Sequence, residues 1–219
     1  MRGQCRVSGC TGDVESRWGD CCEKHKKADR RHGDPRQVAV RKHLLKPFNK
    51  HISETIKKDK TGKIEAGLKQ IKNMVEDEAK HILNDSRPMK RETRTTAHAM
   101  LTVAQSASTV DMGCIVGAVF LLQEATPRTF VSDRAFLFQL ARSFQRLAPV
   151  NTGSYWNQST GKTHQVYRDM PPRATEALAA GIKRHYMPFI VEIMKRACQE
   201  TQRAEEAAEL IKKGFKELD

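Results

Sequence analysis

Residues 110–125 read VDMGCIVGAVFLLQEA. On a helix of 3.6 residues per turn, Val110, Met112, Ile115, Val116, Val119 and Phe120 leave no polar face. A helix that is apolar nearly all round has to be buried on every side. The stretch therefore predicts a central helix over Asp111–Ala125, stopped by Pro127, with other helices packed around it. Its apolar run falls short of the roughly 18 residues needed to cross a bilayer, which argues against a membrane partner.

Working outward, the flanks supply the surrounding helices. Ile64, Leu68, Ile71, Val75, Ala79 and Ile82 follow one another at steps of 3 or 4, a single stripe on a helix of about 20 residues. That helix ends near Asp85-Ser86-Arg87-Pro88, because proline disfavours the helical region for its predecessor. A second helix is expected over Thr95–Ala107. On the other side, Ser132-Asp133 caps a helix whose Phe136, Leu140, Phe144 and Leu147 share a face. Residues 149–172 carry Gly153, Gly161 and three prolines without a helical period, and read as an irregular loop. Pro171-Pro172 opens the last helical stretch, which Pro188 divides or kinks. From Ile190 to Leu218 apolar or small residues alternate steps of 4 and 3, a heptad seam with a weak Ala/Thr centre. It predicts a long helix packed on the body, with a homodimer paired through 190–218 as the alternative.

The fold class expected is mainly α: a small N-terminal zinc-binding module plus a helical bundle domain with a long C-terminal helix. The boundaries read are 1–35 for the module, 36–62 for a basic helical connector, and 63–219 for the helical domain with its loop at 149–172. Of 219 residues, 39 are Lys or Arg and 26 Asp or Glu, a net charge of +13. Residues 1–63 hold 17 of those cations against 8 acids, so most of the excess lies in the first third. Such a balance makes nucleic acid the first partner to consider. No apolar leader opens the chain, so the expected location is cytoplasmic.

Four of six cysteines fall in the first 22 residues, and Cys114 and Cys198 stand alone in apolar surroundings, where small buried residues are expected. The head reads Cys5-x4-Cys10, eleven residues, then Cys22-x2-His25. Two short-range pairs of N and S donors, each on its own turn, are how a short chain supplies the four corners of a zinc site. Cys5, Cys10, Cys22 and His25 are the ligands expected. Cys21 rivals Cys22, and His32 is an outside candidate.

The run CRVSGC … GDCCEKHKKADRRHGDPR resembles a small zinc module of bacteriophage proteins, especially HNH-type homing endonucleases and associated DNA-binding proteins. There a Cys-x4-Cys pair precedes Cys-x2-His, a basic amphipathic helix and a terminal His-Gly-Asp-Pro, matched here by His32-Gly33-Asp34-Pro35. Lys26 stands where that family has an aromatic. The resemblance covers about 33 residues and implies zinc and DNA; it says nothing of the body.

Beyond His25, the cations Lys26, Lys27, Arg30 and Arg31 share one face of a short helix, and Arg36, Arg41 and Lys42 continue it. A face of that kind neutralises phosphates without reading sequence. In the loop, Tyr155 and Trp156 stand among Lys162 and Arg168, aromatics interleaved with cations as in single-strand binding, or else rings that tuck the loop onto the body. Catalysis finds little support. Asn157 and His164 have no histidine before them at hairpin distance and no strand pattern to frame an HNH unit. Ser159–Thr163 ends like a P-loop but follows a helix rather than a strand. The expectation is a non-catalytic nucleic-acid-binding protein of phage or mobile-element type, DNA ahead of RNA, acting in transcription, replication or recombination. The alternatives are a helical accessory subunit docking on a polymerase and an HNH-like metal-dependent nuclease. Glu176–Met187 is loosely similar to a helix in the N-terminal domain of single-subunit phage RNA polymerases.

Overall fold

The computed structural model describes residues 3–14, 18–148, 151–167 and 169–216, with side chains placed throughout these except at 151–153, 164–167 and 196–216. Helices α1 (Glu23–His32), α2 (Lys42–Lys58), α3 (Lys63–Asn84), α4 (Arg91–Ser106), α5 (Thr109–Ala125) and α6 (Asp133–Gln145) follow in order. Strands β1 (Asn151–Asn157) and β2 (Lys162–Tyr167) then precede α7 (Pro172–Lys216). Among the described residues no helix is long and apolar enough to cross a membrane.

The mainly α class is what the structure has, and α5 is its centre. Ser108 caps α5, its hydroxyl accepting from the Asp111 N–H at 3.0 Å. Met112, Val116, Val119, Phe120 and Leu122 are buried among α2, α3, α6 and α7. At Gly117 the missing side chain leaves room for Ile52 of α2, whose Cδ1 would stand 2.5 Å from a Cβ there. On α3, Ile64, Leu68, Val75 and Ala79 are buried along the stripe read from the sequence, with Ile71 and Ile82 partly so. Ser132 caps α6 by accepting from the Ala135 N–H, and Phe136 packs edge-on against Phe120 at 5.2 Å and Phe130 at 5.4 Å.

Four expectations need correcting. The 36–62 connector does not stand apart from the body: Leu45, Ile52 and Ile56 line one face of α2 and enter the same core as α5. Helix α4 starts at Arg91 rather than Thr95, the acid Glu92 suiting its first turn. Helix α7 continues through Pro188, so the proline does not divide it into two helices. Proline removes one backbone hydrogen bond there, and the buried Tyr186 and Ile190 on either side supply the packing that offsets it.

The fourth correction concerns 149–172. Residues 151–167 form an antiparallel hairpin that pairs Tyr155 with His164, Trp156 with Thr163 and Asn157 with Lys162. The Ser/Thr/Gly cluster is its turn. Asn157 Oδ1 accepts from the Ser159 N–H at 3.0 Å and the Ser159 hydroxyl at 2.6 Å, and the Gly161 N–H donates to the Asn157 carbonyl at 2.9 Å. Strands therefore do frame Asn157 and His164. Asn157, however, spends its side chain closing the turn.

Candidate metal centre and its basic surface

The head begins with a tight fold-back. The Cys5 N–H donates to the Gly12 carbonyl at 3.1 Å, the Val14 N–H to Gly3 at 2.9 Å, and Gln4 bridges Asp13. Between them the Cys10 N–H returns to the Val7 carbonyl at 3.0 Å, which turns the Cys5 and Cys10 sulfurs to one side. The Arg6 N–H reaches the Asp20 carbonyl at 2.8 Å, with an ion pair between the same residues at 2.5 Å, and so brings the second half of the head alongside. Cys22 is the N-cap of α1, and His25 lies one turn further along the same face.

These local folds bring four donors together. Cys5 Sγ and Cys22 Sγ each lie 3.3 Å from His25 Nδ1, and Cys10 Sγ lies 3.8 Å from Cys22 Sγ. All four ligand atoms fall within 4.8 Å of one another, and no disulfide joins the described cysteines. Cys5, Cys10, Cys22 and His25 are thus one candidate metal site. Burial pushes the Cys5 thiol up, but backbone N–H groups of Cys22 and Val7 and the His25 ring outweigh it and bring it down to about 6. A thiol so placed readily loses its proton, and the thiolate is the form that binds a metal. A Cβ at Gly12 would stand 3.1 Å from Cys22 Cβ and 3.4 Å from Cys10 Sγ, so the loop already closes tightly over the sulfurs.

The two rivals fall outside. Cys21 is buried but does not join the group, and burial and the neighbouring Asp20 raise its thiol. His32 points the other way, its Nδ1 3.0 Å from Gln139 Nε2 on α6. Because Gln139 Oε1 already accepts from the Val40 N–H at 3.1 Å, its amide nitrogen donates, and His32 Nδ1 is the acceptor of a neutral ring.

That contact belongs to a joint between head and body. Arg134 on α6 pairs with Asp29 at 3.0 Å and with Glu176 at 2.7 Å, and donates to the Gly33 carbonyl at 3.1 Å. Asp169 bridges Arg31 at 2.7 Å and Arg142 at 2.8 Å. Gly33 ends α1 in the left-handed region at φ 80°, and a Cβ there would stand 2.8 Å from the Arg134 carbonyl oxygen. Only glycine fits this joint.

The basic face of α1 is exposed, and its cations divide into two pairs. Lys27 pairs with Glu23 at 2.5 Å, and Arg31 is held by Asp169. Lys26 and Arg30 make no ion pair among the described residues. Arg36 pairs with Asp34 at 3.4 Å, while Arg41 and Lys42 are exposed at the start of α2. Tyr155 and Trp156 are 54% and 62% exposed on the hairpin, so both keep much of their surface open to solvent. Lys162 is exposed opposite Asn157, and Arg168 lies outside the described residues. Cys114 is buried, and burial with Asp111 nearby pushes its thiol up to about 11; the side chain of Cys198 lies outside the described set.

Sequence reading missed the neighbours that complete this surface. A cleft of about 710 Å³ opens beside α1, with Arg30 on one wall and Arg91, Thr95, His98 and Thr102 of α4 on the other. Those α4 residues share a helix face, but nothing local says that α1 lies across from them. Trp18, 90% exposed in the loop between the two ligand pairs, is a further exposed ring of the head. Comparisons with protein-family models, curated proteins and solved structures return no match.

Proposed function

We propose that Cys5, Cys10, Cys22 and His25 hold one zinc ion, and that α1, which grows directly out of that site, presents Lys26 and Arg30 to nucleic-acid phosphates. The observation carrying this reading is the donor geometry. Zinc bonds of about 2.3 Å to sulfur and 2.0–2.1 Å to nitrogen span a tetrahedron with edges of about 3.8 Å between sulfurs and about 3.5 Å between sulfur and nitrogen. Three of the six separations are 3.8 Å (Cys10 to Cys22) and 3.3 Å (Cys5 and Cys22 to His25), and all four donors lie within 4.8 Å of one another. Three sulfurs and one imidazole make a soft set that favours zinc over magnesium or calcium. With four protein ligands such a site is closed, and its role is to shape the chain rather than to activate water.

Folding free energy from the metal would then fix Cys22 and His25, and with them the first turn of α1. Lys26 and Arg30 follow on that rigid start, and Arg36, Arg41 and Lys42 extend the cationic track to the body. Contacts of this kind bind by releasing counterions and need no base sequence. Trp18, Tyr155 and Trp156 add exposed rings on which bases can stack. The likeness of the head to phage zinc modules places DNA ahead of RNA and fits a non-catalytic role in phage or mobile-element transcription, replication or recombination. The test is metal content together with binding. The purified chain should carry about one zinc, and stripping it with a chelator should weaken binding to a labelled DNA duplex while α2–α7 stay helical. Duplex binding unchanged after complete zinc removal would refute the link between the two halves of the proposal.

A further inference from the structure

A groove runs along α2 on a part of the surface that the metal centre does not use. Two adjoining cavities, of about 500 Å³ and 360 Å³, share Lys46, Asn49, Ile115 and Leu147. They follow α2 from Lys42 to Ser53, a rise of about 16 Å or three turns. The floor is apolar: Val40 and Leu45 are buried beneath it, with Val110, Ile115 and Leu147 partly buried around it. The rim carries Lys42, Lys46, Lys50 and Arg146 with His43 beside them; Lys50 makes a long ion pair with Glu54 at 3.8 Å, and the Asp111 carboxylate is engaged by the Ser108 hydroxyl at 2.7 Å.

One acceptor on this wall lacks a donor: Asn49 Oδ1 is buried without a hydrogen-bond partner. A buried acceptor left unpaired is unusual enough to need a reason.

We infer that this groove docks an acidic amphipathic segment of a partner polypeptide, about three helical turns long. An apolar stripe at helical spacing would cover the floor, and flanking carboxylates would meet the lysines on the rim. The observations favour polypeptide over nucleic acid. No Phe, Tyr or Trp lines the groove to stack a base, and the apolar floor offers a phosphate nothing. A Gln, Asn or Ser side chain of the segment can donate to Asn49 Oδ1, whereas a phosphate only accepts.

The test uses the full chain and a fluorescein-labelled synthetic helix of roughly 15 residues, with Leu at i, i+3, i+4 and i+7 and Glu on the flanks. By fluorescence anisotropy at physiological salt the peptide should bind, and the same composition with its Leu stripe scrambled should bind at least about tenfold more weakly. A Lys46→Glu, Lys50→Glu variant changes two exposed side chains, leaves the fold intact by circular dichroism, and should lose about tenfold in peptide affinity. Lys26→Ala with Arg30→Ala should leave peptide binding alone, so this inference and the nucleic-acid proposal can fail separately. Equal binding of the scrambled peptide would reduce the groove to a charged surface and overturn the inference. It would equally be overturned if an oligonucleotide displaced the peptide through Lys46 and Lys50, or if light scattering showed a parent dimer that the double variant abolished.

Discussion

Of the four candidate ligands, Cys10 is the one whose replacement separates metal binding from folding of the bundle. Its sulfur lies 3.8 Å from Cys22 Sγ and accepts from the Gly12 N–H at 3.4 Å, on a loop that contributes nothing to the main core. Cys10→Ser should therefore lose stoichiometric zinc by elemental analysis while the far-ultraviolet helical signal stays. Cys21→Ser should keep the metal, because that sulfur stands outside the four-donor group. Zinc retained in the first variant, or lost in the second, contradicts the ligand assignment. His32 makes a prediction about pH. Burial, then Arg142 and Arg31, lower its pKa from 6.5 to about 4, so the folded state prefers the neutral ring that accepts from Gln139. A group depressed on folding contributes stability that is whole above its unfolded pKa, near 6.5, and is lost as pH falls toward 4. The thermal midpoint of the parent should thus fall more steeply than that of His32→Asn across this window. Parallel curves would show that the ring carries no such linkage. The four-donor cluster could be read from the sequence because Cys-x4-Cys and Cys-x2-His are local spacings. His32 could not be placed, because Gln139 is 107 residues away.

At the scale of elements, periodicity located the helices and failed where periodicity is weak. Helices α3, α5 and α6 fell where their stripes and caps put them, since Ile64 to Ala79 and Met112 to Leu122 bury on the faces their spacing defines. The hairpin was illegible for a physical reason. Its strands pair extensively with each other, and its described side chains from Ser154 to Thr163 are largely exposed, so no buried face drives an alternation of apolar and polar residues. Helix α2 looked like a connector because its cations outnumber its four buried residues, yet Leu45, Ile52 and Ile56 recur on one face. In the C-terminal seam, Ile190 is buried in the body and Met194 packs against the same core, which matches the internally packed alternative at its start. From 196 onward the side chains lie outside those described. The hairpin yields its own prediction. With its ring 62% exposed, Trp156 can stack on a base, a contribution worth roughly 1–3 kcal/mol that depends little on salt. Trp156→Ala should weaken single-stranded oligonucleotide binding by about that much and leave the salt slope unchanged. Unaltered affinity would remove the hairpin from the binding surface.

Across the whole molecule, the head is bound to the bundle through charge. Asp29, Arg134 and Glu176 form one cluster, and Arg31, Asp169 and Arg142 another, with Gly33 between them against α6. Each pair is partly exposed and worth little alone, so the joint depends on its geometry and on Gly33 rather than on any single bridge. This arrangement divides the basic face seen in the sequence. Lys27 and Arg31 serve the fold, while Lys26 and Arg30 face outward toward solvent and the α4 cleft. No sequence spacing reveals that division, since Asp169 is 138 residues from Arg31. The most direct measurement is therefore the slope of log Kobs against log salt concentration for a DNA duplex, taken for the zinc-loaded parent and for Lys26→Ala with Arg30→Ala. Each phosphate contact contributes about 0.9 to that slope, so the double variant should bind more weakly to every sequence and flatten it by up to about 1.8. If the two proteins bind equally at every salt concentration, α1 is only a solvated helix and the zinc module does not serve nucleic acid.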